Sequence, residues 1–415
     1  MPSKLIKIDD PEILSLVLTN IRRNGATTRP KISNETGLSR TLITKHVEIA
    51  LDLGILDEGK LAKSTGGRAP RLLQFNKDRG FLLLAELGAT GMAIAISDLL
   101  GNPQKIFEVS IDISQGAEAV LTEVEKVFDS LLKDGEGNLW GIGIGLPGPV
   151  EFATGVPMSP PIMPGWDKYN VRTRFSAKYE VPVWVDNDVN LMALGESTNN
   201  SDAKQQELIY IKIGSGVGAG IICRGALHRG AQGCAGDIGH IAIPQATEVI
   251  CRCGNIGCLE AFSGGFALAR DANAAATNGT SKFLSEKLLK MNYLSAMEVI
   301  EGANHGDAWC VDAIATAGRN VGEVLATLIN FYNPSLVVIG GGISSAGNPL
   351  LAAIREAVYR RSLPLATRDL EIRIGEIDDR AGLSGAAEMV LSELFAPKVL
   401  GQWVANGVPR LPITY

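Results

Sequence analysis

Two strand-like apolar runs in this chain end in glycine clusters: Ile211-Lys212-Ile213-Gly214-Ser215-Gly216-Val217-Gly218 and Leu336-Val337-Val338-Ile339-Gly340-Gly341-Gly342. Turns of this kind bring backbone N–H groups close to a phosphate, because no Cβ stands in the way. Two such units predict a duplicated, two-lobed fold with a nucleotide-sized cleft. Short apolar strands alternate with glycine turns and helices throughout residues 77–415. Strands are predicted over 81–87, 93–98, 140–145, 181–185 and 208–213, and helices over 117–133, 190–196 and 308–332. That alternation is the mark of α/β architecture with helix-covered sheets.

Residues 1–76 follow a different pattern. Ile13, Leu14, Val17, Leu18 and Ile21 form one apolar stripe that ends at Asn24-Gly25. A short second helix fits 29–36, closed by Gly37, and Ser39 has the chemistry to cap a third over 40–53. Leu42, Ile43, Val47, Ala50 and Leu51 should face inward on that third helix. A charged two-stranded wing with Lys60 and Lys63 is expected between Ile55-Leu56 and Leu61. Beyond it runs the basic connector Ser64-Thr65-Gly66-Gly67-Arg68-Ala69-Pro70-Arg71, then a strand over 72–75. The pattern is a winged helix-turn-helix, and the three expected units are 1–76, 77–200 and 201–415.

The charge distribution fits a head that meets a polyanion. Residues 1–80 hold 14 Lys/Arg against 9 Asp/Glu, or +5, whereas the rest holds 25 against 36, or −11. Arg40, Thr41, Thr44 and Lys45 occupy the polar face of the third helix, with Ser39 at its start. They are the candidates for base contacts in double-stranded DNA. Arg29, Lys31, Lys60 and Arg68 are the candidates for phosphate contacts. No signal-peptide pattern and no apolar run of membrane-spanning length is present, so a cytoplasmic protein is expected.

Three of the six cysteines lie in Cys251-Arg252-Cys253-Gly254-Asn255-Ile256-Gly257-Cys258, with His240 upstream. Three thiolates and an imidazole make a complete tetrahedral set for one structural zinc per chain, leaving no open position for a metal-bound water. Cys223, Cys234 and Cys310 are isolated and read as packing residues.

Together these motifs resemble the regulator branch of the ROK family (repressors, open reading frames and sugar kinases). The resemblance covers nearly the whole chain. Besides the head and connector it rests on Gly143-Ile144-Gly145-Leu146-Pro147-Gly148-Pro149, Pro164-Gly165-Trp166 and Asp186-Asn187-Asp188-Val189-Asn190. Residues 214–220, Gly236-Asp237-Ile238-Gly239-His240 and the cysteine cluster ending in Glu260 complete it. It implies a two-lobed actin-like ATPase fold with a sugar between the lobes, contacted by Asn187, Asp188, Asp237, His240 and Glu260. By the same resemblance, one His240 nitrogen meets the sugar while the other binds zinc, making the metal an organiser of the pocket.

In kinase members of the family the residue matching Asp188 is the general base. Here it is a vestigial base candidate, because the first phosphate turn departs from the kinase pattern. Glu86 stands where kinases carry Asp, and Ala89 where they carry a second Gly. Gly214, Ser215, Gly216 and Gly341 remain candidates for a nucleotide phosphate. Asp237 also departs, since the family usually has Glu there. The resemblance implies a sugar-responsive repressor that reads a pseudo-palindromic operator as a homodimer or homotetramer, and the competing reading is an ATP-dependent sugar kinase with an accessory DNA-binding head.

Overall fold

The computed structural model describes residues 10–61, 70–134, 137–199, 206–243, 249–375 and 380–415. The head is built from capped helices. Asp10 caps α1 (Pro11–Asn24) by accepting from the Glu12 and Ile13 N–H groups, and Leu14, Val17, Leu18 and Ile21 form its buried face. Thr28 caps α2 (Arg29–Thr36), and Gly37 ends it in the left-handed region at φ 72°. Ser39 caps α3 (Arg40–Asp52) through the Leu42 N–H.

Two expectations for the head are corrected. Leu42 is 37% exposed, and His46 is buried with Ile43, Val47 and Ala50. The stripe is centred on those residues, and Leu42 lies about 100° around the helix from Ile43. The His46 ring closes the turn with Nδ1 2.9 Å from the Leu42 carbonyl. The wing is also wider than a hairpin inside 55–63. Its strands are β1 (Leu56–Leu61) and β2 (Arg71–Phe75), paired antiparallel, with Thr27 bridged to Leu73 as a third piece. Leu73 and Phe75 supply the alternating inward side chains that a short hairpin would lack. Lys63 and Arg68 lie outside the described residues.

The two lobes share one topology. The first sheet has the order β5 (Pro103–Ser110), β4 (Gly91–Asp98), β3 (Gly80–Leu87), β6 (Asn138–Leu146), then Val183–Asn187. Its first three strands are antiparallel and the remaining pairings parallel. The second sheet runs Ala226–Leu227, Val217–Cys223, Glu207–Ile213, Leu336–Gly340, Glu371–Ile374, again antiparallel and then parallel. The protein therefore has the two-lobed actin-like fold joined to an N-terminal winged helix-turn-helix. Helix Ala117–Asp134 packs on the first sheet, and Ala308–Tyr332 with Asn348–Arg361 covers the second.

The spatial grouping cuts across a linear division at residue 200. The C-terminal helix Ala381–Leu394 packs on β3 and β6 of the first lobe and against the bridging helix Asp188–Asn199. These two helices meet backbone to backbone. A Cβ at Gly385 would stand 1.7 Å from the Leu191 carbonyl oxygen, and one at Gly195 2.0 Å from that of Ala381. The tail beyond, which carries no legible motif, completes the core under the head. Trp403 is fully buried, donates from Nε1 to the Leu394 carbonyl at 2.9 Å and packs on Trp140 at 5.3 Å. Leu14, Val17 and Leu18 of α1 join the same core, and Ser15 donates to the Phe395 carbonyl at 2.6 Å. Beside it Arg22 of α1 binds Glu388 of the C-terminal helix through two hydrogen bonds of 2.7 and 2.8 Å.

Candidate functional site

A cavity of about 920 Å³ opens between the sheets. On the first-lobe side, strand Val183–Asn187 runs directly into the bridging helix, so Asn187 and Asp188 sit at the helix start. Asn187 Oδ1 accepts from the Val189 and Asn190 N–H groups at 2.9 and 3.2 Å, and its Nδ2 donates to the Gly148 carbonyl at 3.0 Å. Asn187 thus caps the helix while lining the cavity. Asp186 behind it accepts from Asn190 Nδ2 at 2.9 Å and from Arg229 Nε at 2.7 Å, which fixes the turn.

Asp188 is almost fully buried and does not present a vacant carboxylate. Its Oδ2 accepts from Lys212 Nζ at 2.5 Å, and its Oδ1 from the Val189 N–H at 2.9 Å. Lys212 comes from strand Glu207–Ile213, which leads into residues 214–218, the second glycine turn in chain order after the one at Gly88. Burial acts to lower its ammonium, but the Asp188 and Glu86 charges prevail and raise it, so the group stays charged. Sequence reasoning missed Lys212, since nothing local in Ile211-Lys212-Ile213 points to a partner 24 positions away.

The second-lobe side supplies Asp237, His240 and Glu260, all lining the same cavity. Asp237 precedes a short turn of 3-10 helix and makes no side-chain cap bond. Desolvation in the cleft pushes its carboxyl up; His240 opposes this and Glu260 adds to it. Glu260 lies under the second glycine turn, where a Cβ at Gly216 would come within 2.4 Å of its Oε2. Gly216 therefore makes room for Glu260 as well as shaping the turn.

His240, Cys251, Cys253 and Cys258 form the candidate metal centre, their ligand atoms all within 4.8 Å of one another. Cys253 and Cys258 Sγ are 3.7 Å apart, and Cys251 Sγ lies 3.6 Å from His240 Nδ1. Zn–S and Zn–N bonds of about 2.3 and 2.1 Å give tetrahedral edges of about 3.6 to 3.8 Å, so the donor set fits. Burial pushes the Cys251 and Cys258 thiols up, whereas the Asn255 backbone N–H and the neighbouring thiols outweigh burial and lower Cys253. Three thiolates in such a place would need a cation between them. Nδ1 faces the sulfurs, leaving Nε2 3.8 Å from Asp237 Oδ1.

The phosphate-turn candidates Gly214, Ser215, Gly216 and Gly341 all line the cavity. Part of the turn is already bonded internally. Gly214 N–H donates to the Gly216 carbonyl at 2.9 Å, and the Gly214 and Ser215 carbonyls accept from the Gly265 and Phe266 N–H groups. In the first turn Glu86 lies against the start of the C-terminal helix, for a Cβ at Gly382 would stand 2.0 Å from its Oε2. The helix N-terminus favours that charge.

In the head, Arg40, Thr41 and Lys45 are exposed on α3 and Thr44 is half-buried. Ser39 is engaged as the cap. Arg29 is tied to Glu58 of the wing at 2.6 Å, and Lys60 lies in β1. No helix among the described residues is long and apolar enough to cross a membrane.

A profile of the ROK family matches residues 84–393. A xylose repressor of Caldicellulosiruptor bescii is 33% identical over 387 residues, covering 92% of this chain and 96% of that protein. A ROK family transcriptional regulator homologous to the Escherichia coli MLC protein superposes with a TM-score of 0.80 at 27% identity, covering 95% of this chain and 99% of that one. A Streptomyces griseus ROK glucokinase, solved with glucose and AMPPNP, gives 0.66 at 26% identity and covers 75% of this chain. With the profile spanning both lobes and the repressor spanning the head as well, this chain belongs to the ROK family.

Proposed function

We propose that the chain is a sugar-responsive DNA-binding transcriptional repressor. The observation that carries this reading is the arrangement of one polar cleft and one basic head on the same helix pair. Asn187 and Asp188 start the bridging helix; its partner, the C-terminal helix, holds Arg22 of the head through Glu388. A sugar that favours one closure state of the lobes shifts the populations of head orientations. The sugar contacts are assigned to Asn187, Asp188, Asp237, His240 and Glu260. Base contacts fall to Arg40, Thr41, Thr44 and Lys45, with Arg29, Lys60 and Arg68 on phosphates. A homodimer or homotetramer would read a pseudo-palindromic operator.

We assign the metal as zinc, held by His240, Cys251, Cys253 and Cys258. Bound there, the ion would supply a fixed charge and hold the His240 ring through Nδ1, with Nε2 left for a sugar hydroxyl. The kinase reading is disfavoured by the first phosphate turn, where Glu86 and Ala89 stand in place of the residues that kinases carry. Similarity to the glucokinase covers 75% of the chain, whereas similarity to the repressor covers 92%.

The test is a gel-shift titration at low salt with DNA from upstream of the chain's own gene, repeated with a sugar panel. Specific binding that one sugar weakens is expected. Absence of DNA affinity would overturn the reading, and ATP-dependent sugar turnover abolished by Asp188→Asn would establish the kinase instead.

A further inference from the structure

The charge of the cavity wall is lopsided. Glu86, Glu108, Asp188, Asp237 and Glu260 line it, and no arginine does so among the described residues. The ammonium on that wall belongs to Lys212, whose Nζ is 2.5 Å from Asp188 Oδ2, with the two side chains 19% and 4% exposed. The imidazole of His240 is turned with Nδ1 toward the thiols. The Lys212 charge is thus already neutralised within the protein, with Glu86 also close to it, and Glu108, Asp237 and Glu260 remain on the wall of the space a ligand would fill.

From this geometry we propose that the cleft selects an uncharged sugar and rejects its phosphate ester, with the Asp188–Lys212 pair setting that preference. The inference rests on the sugar-sensor reading and narrows its ligand class. Hydroxyl groups donate well to carboxylates, and such charge-assisted bonds are the stronger kind. A phosphate dianion has the opposite needs. It requires cations, or backbone N–H groups pointed at it, to replace the water it loses. In the glycine turn 214–218 the Gly214 N–H is already bonded to Gly216, and a phosphate seated there would meet the Glu260 carboxylate beneath the turn. One uncompensated carboxylate near a dianion is enough to lower affinity at least about tenfold at an effective dielectric near 20.

The experiment is calorimetric titration of the full, zinc-loaded chain with D-xylose, D-glucose and N-acetyl-D-glucosamine, each beside its terminal phosphate ester. One free sugar should bind at least about tenfold more tightly than its ester. In Asp188→Asn the ammonium is released from its partner, and the ester-to-sugar affinity ratio should rise; in Lys212→Met a carboxylate is uncovered, and the ratio should fall. An ester that binds the wild-type protein as tightly as its sugar overturns the proposal and leaves the sensor reading standing. A ratio unmoved by either folded variant also overturns it. If neither sugars nor esters bind a folded chain, the sensor reading fails and this inference falls with it.

Discussion

Replacing Glu388 by Ala should release the head from the body. Arg22 and Glu388 share two short hydrogen bonds and have side chains only 5% and 7% exposed. Arg22 Nε is buried without a partner, so no neighbouring acceptor stands ready to take over. Arg23 also reaches Glu388, but at 56% exposure its contribution is screened and is left out of the estimate. Removing one member of a buried pair costs about 3 to 5 kcal/mol, because the other charge stays buried and uncompensated. The lower figure corresponds to roughly a hundredfold increase in the opening of α1. Hydrogen exchange by mass spectrometry reads this directly, with helix Ala308–Tyr332 in the second lobe as the internal control. Exchange of α1 should accelerate about a hundredfold while the control is unchanged. The double variant Arg22→Met with Glu388→Leu should recover most of the protection, since an apolar pair of similar volume is often neutral or better. A change in α1 of less than about threefold in Glu388→Ala, or failure of the double variant to differ from it, would refute the reasoning. Acid offers a second handle. Burial acts to raise Glu388, but the Arg22 bonds and charge dominate and hold it below 4.5. A depressed carboxylate stabilises above its unfolded value, so docking should be intact above about pH 4.5 and weaken as pH falls through the folded value.

The other expectations concern the metal, the tail and the reading surface. Purified protein should contain about one zinc per chain by elemental analysis, and Cys253→Ser should lower both metal content and thermal midpoint; a metal-free wild type of unchanged stability would remove the centre from the account. Trp403→Ala should cost about 3 to 5 kcal/mol in chemical unfolding, because a fully buried indole bonded to the Leu394 carbonyl leaves a cavity and an unpaired acceptor. Lys60→Ala should weaken DNA binding uniformly across sequences and reduce the log–log salt slope by about 1, whereas Arg40→Ala should relax sequence preference; equal effects on every sequence from Arg40→Ala would move it to the phosphate set.

Features that live within one element or one loop were legible in the sequence. The α1 stripe, the Ser39 cap and the span of helix Ala308–Tyr332 follow from local periodicity and end chemistry. The candidate metal centre is legible for the same reason, as three of its four residues fall within eight positions and the fourth closes the set. What remained hidden depends on partners far apart in the chain. His46 is inside where Leu42 is not, with the Leu42 carbonyl meeting its Nδ1, a contact periodicity does not register. Lys212 looks like an exposed strand residue until Asp188 is brought beside it. The return of the chain beyond Ala381 to the first lobe, and the burial of Trp403 under the head, leave no local pattern at all.

Gly195 and Gly385 carry a mechanical consequence. At those two positions backbone meets backbone with no side chain between, so sliding one helix past the other would meet carbonyl oxygens at once. The pair is therefore a stiff lever rather than a slip joint. The bridging helix of 12 residues is about 18 Å long, and a tilt of about 5° begun at Asp188 sweeps its far end by about 1.6 Å. A displacement of that size is comparable to the helix shifts that switch packed interfaces between discrete arrangements.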